Sequence, residues 1–192
     1  MINANELLAL VRLSLVDPVQ GARAVMALNP PMSARWMLMA LAIVIAVLFQ
    51  FVPLVMMGQA EGLVAPFWPT LAQGAMNLAI VLLIAFVGRA AGGTGRFSDA
   101  LLLVAWLQCI NLIFMAALLV ASVFGPNVEM PVIVGSVMLT VWMIVGFISA
   151  LHGFQSKGLV LVGSILVLVV FSLVLSLILL MLGFEPIGVG DV

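Results

Sequence analysis

Long apolar segments recur along this chain and are separated by short polar connections. The runs do not alternate polar with apolar residues, as the strands of a membrane β-barrel would. A membrane helix needs about 20 mostly apolar residues to cross about 30 Å of hydrocarbon, and it satisfies its backbone polar groups internally. Five segments meet this requirement and are predicted to be transmembrane helices: residues 36–57, 71–88, 100–124, 131–150 and 158–182.

The stretch before the first span is too short to cross a membrane but is rich in apolar residues. Asp17-Pro18 predicts a helix start, because aspartate is a good N-cap and proline suits the first helical position. One face of the helix that follows collects the apolar side chains Val19, Ala22, Val25 and Met26. We predict short amphipathic helices along the headgroup boundary. Packing of these helices against the ends of the spans is an equally weighted alternative.

The pattern predicts an all-α integral membrane protein whose five transmembrane helices form one bundle. A cytoplasmic juxtamembrane segment (residues 1–35) precedes the bundle (residues 36–182), and a short non-cytoplasmic tail (residues 183–192) follows it. These assignments leave no room for a separate soluble domain.

Composition supports membrane embedding and excludes several protein classes. Of the 192 residues, 66% are apolar and 7% are charged, against about 45–50% and about 25% in soluble domains. A disordered tail, a nucleic-acid-binding protein and a secreted disulfide-rich protein are therefore not expected. Cys109 is the one cysteine, so no internal disulfide can form.

The basic residues predict an orientation. Lys and Arg near span ends are retained on the cytoplasmic side, and all six lie on the same side of the five predicted crossings. They are Arg12, Arg23, Arg35, Arg89, Arg96 and Lys157. We therefore expect the N-terminus inside, the C-terminus outside, and these side chains in contact with lipid headgroups.

The sequence predicts no catalytic, metal or cofactor site. No Asp, Glu, Lys, Arg or His lies within the five predicted spans, where such residues would mark relays or catalysis. Asp99 lies at the mouth of the third span, and His152 lies in a short loop where we expect it to be solvated. The glycine-rich loop at 88–96 lacks the lysine of a phosphate-binding loop, so no nucleotide is expected.

Three amides form a candidate interhelical polar cluster. Asn77 in the second span and Asn111 in the third lie about 16 Å from the same end of their helices, and Gln108 is one turn from Asn111. Hydrogen bonds between such side chains hold membrane helices together. The alternative is a small permease or channel with a polar path between these spans, lined also by Gln73.

The order of these features resembles the bacterial members of the Yip1 domain family. Asp17-Pro18 opens a short helix before the first span, and Gly92-Gly93 follows the second span. The resemblance implies a non-catalytic helical protein of the bacterial inner membrane. Eukaryotic relatives bind small GTPases through a longer N-terminal region with a DLYGP-like segment. This sequence lacks that segment, so GTPase binding is not expected.

The sequence therefore favours a non-enzymatic accessory or scaffolding protein that associates laterally with itself or with a larger membrane complex. Pairs of small residues four apart allow helices to approach closely. Four such pairs occur in the spans: Ala42 and Ala46, Ala75 and Ala79, Gly146 and Ala150, and Ser172 and Ser176. A lipid-modifying enzyme is a third hypothesis, which requires Asp99 and His152 to lie within hydrogen-bond reach.

Overall fold

A computed structural model describes residues 3–56, 58 and 66–181 of the chain. The described residues form helices joined by turns, with no strand among them. The chain divides into two compact units, Met1–Gln155 and Ser156–Val192. Met57, Leu182 and the predicted tail lie outside the described residues.

Six described helices belong to the first unit and one belongs to the second. They are α1 (Ala4–Val16), α2 (Pro18–Ala27), α3 (Met32–Met56), α4 (Phe67–Ala90), α5 (Phe97–Val123), α6 (Pro126–His152) and α7 (Lys157–Met181). The last five are long and apolar enough to cross a membrane. The five predicted spans correspond to α3–α7, and the structure is that of a multi-pass membrane protein.

α4 and α6 extend past the predicted spans 71–88 and 131–150 at both ends, because a membrane helix can include polar residues beyond its apolar run. α6 illustrates this, since it begins at Pro126 and includes Glu129 in its first turn. Gly125 precedes the helix with a φ of 85°, which glycine adopts without steric cost. At the other end Gly153 adopts the left-handed conformation, and its N–H donates to the carbonyl of Ser149. The residues at each end of α6 therefore determine where the helix begins and where it ends.

Local capping also determines where α1 and α2 begin. The Asn3 side chain accepts from the Glu6 N–H at 2.8 Å, and the Glu6 carboxylate accepts from the Asn3 N–H at 3.0 Å, which is a capping box. Asp17 Oδ1 accepts from the N–H groups of Val19 and Gln20, each at 3.1 Å. The predicted N-cap at Asp17 is therefore confirmed.

α2 packs against α5 and α6. Its buried residues are Pro18, Gly21, Ala22 and Val25, while Arg23 is exposed. A methyl group on Gly146 of α6 would lie closer than 3.0 Å to Pro18. One on Gly21 would lie equally close to Ser14 of α1. Two placements of the short N-terminal helices were predicted from the sequence. These contacts agree with the second of them, in which the helices pack against the ends of the spans.

α5 is the central helix of the first unit. Residues 100–107 are buried without interruption, because α2, α3, α4 and α6 all contact α5. A helix surrounded in this way has no polar face to display. The unbroken apolar sequence of its first half follows from this position.

Candidate functional site

Four long helices have termini at one end of the first unit, where α3 and α5 begin and α4 and α6 end. Arg35 joins the start of α3 to the start of α5. His152 joins the end of α6 to α4 and to the loop before α5. We call this the basic end, because Arg35, Arg89 and Arg96 all lie there. It concentrates the charged side chains of the bundle and is the candidate site.

Arg35 is almost fully buried, with 4% of its surface exposed. Its Nη1 donates to Asp99 Oδ1 at 2.8 Å and to the Ser98 carbonyl. Its Nε donates to the Pro30 carbonyl at 2.9 Å, and its Nη2 donates to Asn29 Oδ1 at 2.9 Å. One guanidinium therefore connects the segment after α2 to the starts of α3 and α5.

This position corrects the expectation that Arg35 contacts a lipid headgroup. Its fork of N–H donors faces protein acceptors on both sides, and such directional acceptors suit a guanidinium. The sequence does contain a signal for this ion pair, because a carboxylate in the first turn of a membrane helix needs a partner. Asp99 is that carboxylate.

The other candidate headgroup contacts are placed differently from Arg35. Arg12, Arg23, Arg89 and Arg96 are exposed in the first unit, and Lys157 is exposed at the start of α7 in the second. Contact of these five side chains with lipid headgroups stays a prediction.

His152 is the last residue of α6 and is 3% exposed. Its Nε2–H donates to the Ile84 carbonyl at 3.0 Å, while its Nδ1 accepts from the Gly95 N–H at 3.2 Å. The Phe154 ring stacks on the imidazole with centroids 5.4 Å apart. A neutral imidazole protonated on Nε2 satisfies both bonds, a tautomer assigned from its partners. This buried placement corrects the expectation of a solvated loop histidine.

Three glycines surround the His152 imidazole. A methyl group on Gly88, Gly93 or Gly95 would lie closer than 3.0 Å to a His152 atom. Gly92 makes the turn after α4 with a φ of 90°, a conformation that suits glycine. The Gly92-Gly93 motif therefore has a structural role here: one glycine turns the chain and the other contacts the histidine.

Asp99 and His152 do not form an acid–base pair in this arrangement. The Asp99 carboxylate accepts from Arg35, and both ring nitrogens of His152 have backbone partners. In the part of the chain that the structure describes, no hydrogen bond joins the two side chains. The geometry that the lipid-modifying hypothesis requires is not present.

The amides of the predicted polar cluster divide between two helix pairs. Asn77 is 2% exposed. Its Oδ1 accepts from Gln108 Nε2, and its Nδ2 donates to the Gln73 carbonyl at 2.9 Å. Asn111 instead accepts from Thr140 Oγ1 of α6 at 3.1 Å. The structure thus brings Asn77 and Gln108 together and places Asn111 on another neighbour.

The physical reason is the angle between Gln108 and Asn111. Residues three apart on a helix differ in direction by about 60°, which is enough here to point the two amides at α4 and α6 respectively. Thr140 was not among the predicted polar residues. Its position in an otherwise apolar stretch of α6 is the signal that could have identified it.

Another polar contact joins α1 to the interior of the bundle. Trp106 Nε1–H donates to Ser14 Oγ at 3.0 Å, and Ser14 Oγ–H donates to the Leu10 carbonyl at 2.9 Å. Ser14 is fully buried. The bond attaches α1 to the third turn of α5.

We expect Trp106→Phe to lower the free energy of unfolding by about 1–3 kcal/mol, because it removes one hydrogen bond and leaves a small cavity at a buried position. The indole N–H is lost while most of the ring volume is kept. Reversible unfolding in mixed detergent micelles measures the change. Trp68→Phe is the control, because Trp68 is 70% exposed and its replacement should change the stability little. Equal effects of the two substitutions would contradict a stabilising role for the Trp106–Ser14 bond.

Comparison with known proteins supplies no relative. No family model, no curated protein and no solved structure matches the chain. The site is therefore interpreted from its own contacts.

Proposed function

We propose that this chain is a scaffolding or accessory protein of the bacterial inner membrane, rather than an enzyme, and that it associates laterally with itself or with a larger complex. The observation that carries the proposal is how its polar side chains are used. Arg35, His152 and Asn77 each direct their polar atoms at partners within the bundle. Side chains engaged in this way stabilise a helical framework.

The small-residue pairs indicate which surfaces remain for lateral contacts. Ala42 and Ala46 are buried, and Gly146 packs on Pro18. These residues serve the fold of the first unit. Ala75 is exposed on α4, while Ser172 and Ser176 are exposed on α7 of the second unit. We assign lateral association to these exposed surfaces, and first to α4.

The proposed orientation places the basic end in the cytoplasm. Arg89 and Arg96 flank the loop between α4 and α5, and both are exposed. An odd number of crossings then puts the N-terminus inside and the C-terminus outside. The Yip1-like order of motifs is a separate proposal, which supports placement in the bacterial inner membrane.

The permease alternative draws on amide side chains of α3, α4 and α5. Gln50 Nε2 donates to Gln73 Oε1 at 3.4 Å. Asn77 donates to the backbone carbonyl of Gln73 and accepts from Gln108. However, Asn77 and Gln108 bond each other. These contacts favour helix adhesion over a solute path.

The mass of the intact particle tests the scaffolding proposal. The full-length protein is purified from its native membrane in mild detergent, and the particle is weighed by native mass spectrometry. We expect a particle larger than one 20.3 kDa chain. Replacing Ala75 and Ala79 together with leucine should shift it toward the monomer, because bulky side chains prevent close helix approach.

Ala40→Leu is the matched control, since Ala40 is also exposed on a membrane helix but its neighbours four residues away are Trp36 and Val44. It should leave the particle mass unchanged. A monomer without companions in the unsubstituted protein would overturn the proposed function. An equal effect of both variants would remove α4 as the contact surface.

A further inference from the structure

The side of α1 that faces away from the bundle carries a shallow groove of about 460 Å³. We call it the α1 groove. Its lining residues are Leu8, Ala9, Arg12, Leu13 and Val16. Leu8 is 65% exposed and Val16 is 72% exposed. The groove is therefore apolar, with one cationic side chain at its centre.

The position of Ser14 determines which way the α1 groove faces. At 100° per residue, Arg12 and Val16 lie about 160° from Ser14 around α1. Ser14 is the residue that bonds Trp106 in the interior. The groove is consequently on the opposite side of α1 from the bundle.

We take the start of α5 as the membrane surface, and the depth of Trp106 below it then places α1 beside the lipid rather than above it. Trp106 comes nine residues after Phe97, where α5 begins, which corresponds to about 14 Å along the helix. The headgroup layer is only about 5–8 Å thick on each side of the hydrocarbon. Leu8 and Val16 therefore meet acyl chains, and the flexible Arg12 side chain can extend to the phosphate level.

The carboxylates that are nearest to Arg12 in sequence already have partners. Glu6 caps the start of α1, and Asp17 caps the start of α2. The residues one turn before and after Arg12 on its own helix are Leu8 and Val16. Arg12 is exposed and its neighbours along the helix are apolar, so its guanidinium is accessible to an anion from outside the helix.

We propose that the α1 groove binds an anionic phospholipid, with its phosphate on Arg12 and an acyl chain along Leu8 and Val16. Charge complementarity selects the headgroup, and the exposed apolar side chains select a lipid over a soluble anion. Arg23 on α2 differs, because it is exposed beside the polar Gln20. The proposal rests on the membrane placement described above and does not depend on lateral association.

Lipid retention measured by native mass spectrometry tests this site. Full-length protein is released from nanodiscs made of equal parts phosphatidylglycerol and phosphatidylcholine, and the lipids bound to each chain are identified by mass. We expect preferential retention of phosphatidylglycerol. Arg12→Gln should weaken that retention about fivefold, the typical effect of one basic side chain near anionic lipid.

Arg23→Gln is the matched control and should weaken the retention less than Arg12→Gln does, because Arg23 is exposed without an apolar groove beside it. Val16→Asn, which leaves the charge in place but makes the groove wall polar, should also reduce it. Helix content by circular dichroism confirms that each variant is folded. Unchanged retention in Arg12→Gln, or equal losses in Arg12→Gln and Arg23→Gln, would overturn the site.

The same mass spectra distinguish a failure of the lipid-site proposal from a failure of the proposed function. The number of lipids per chain reports the groove, and the number of chains per particle reports lateral association. A change from dimer to monomer in Arg12→Gln with no change in lipid would assign the groove to a second copy of the chain and contradict the lipid proposal.

Discussion

Arg35→Leu should lower the free energy of unfolding by about 3–5 kcal/mol, the cost of removing one partner from a buried ion pair. Arg35 is 4% exposed and bonds four acceptors. Leucine would leave the Asp99 carboxylate, which is 27% exposed, without its counter-charge, and it would remove the donor from the Pro30 and Ser98 carbonyls and the Asn29 side chain. Reversible unfolding in mixed detergent micelles, followed by circular dichroism, measures the loss.

Arg23→Leu is the control for removing a positive charge, because Arg23 is exposed. It should change the stability by less than about 0.5 kcal/mol. Replacing Arg35 and Asp99 together with leucine should destabilise less than the two single substitutions summed, since neither charge is then left alone. Equal effects of Arg35→Leu and Arg23→Leu would contradict the buried ion pair.

Gly88→Ala should lower the free energy of unfolding by about 3 kcal/mol, the upper end of the range typical of an overpacked core. The added methyl group would lie closer than 3.0 Å to three atoms of the His152 ring. The ring cannot move away easily, because it bonds the Ile84 carbonyl and the Gly95 N–H. The same unfolding measurement checks this substitution.

His152→Ala provides the decisive comparison for Gly88→Ala. It removes the ring that the new methyl group would strike, so the double variant should be more stable than the sum of the single effects indicates. Gly74→Ala is the matched control on the same helix, since its added methyl group meets nothing within 4 Å. That substitution should be neutral or stabilising. Strict additivity of Gly88→Ala and His152→Ala would show that the two residues do not pack together.

The spans could be predicted because their cause is local and repeated. Each apolar run in α3–α7 is long enough by itself to cross hydrocarbon, and no distant contact is needed to recognise it. The start of α2 has the same local character, because Asp17 caps the two residues that follow Pro18. The capping box of Asn3 and Glu6 is an equally local signal for the start of α1, although it was not among the predicted features.

The basic end could not be predicted because its contacts join residues distant in sequence. Asp99 lies 64 residues from Arg35, and Gly95 lies 57 residues from His152. The charge pattern shows that Arg35 lies near a membrane boundary but does not distinguish a lipid phosphate from a protein carboxylate. For His152, the sequence indicates a solvated loop position, whereas in the structure the glycines of the loop before α5 lack side chains and so make space for its ring.

The contacts of the three amide side chains could be predicted in part. Depth along a helix can be counted from sequence, and Asn77 and Gln108 do bond each other in the structure. The neighbour that each face meets depends on how the helices are arranged around α5. Asn111 bonds Thr140 of α6 for that reason, and residue counting alone does not supply that information.

The separation of Arg35 from Asp99 has a consequence for biosynthesis. Ribosomes make the chain from its N-terminus, so Arg35 reaches the membrane before the acidic residue that will neutralise it has been translated. During that interval water or phospholipid phosphate must solvate the guanidinium. Insertion of α5 then exchanges these temporary partners for permanent ones. Arg35 is buried in the finished protein, but during synthesis it first contacts the headgroup region that its position in the sequence predicts.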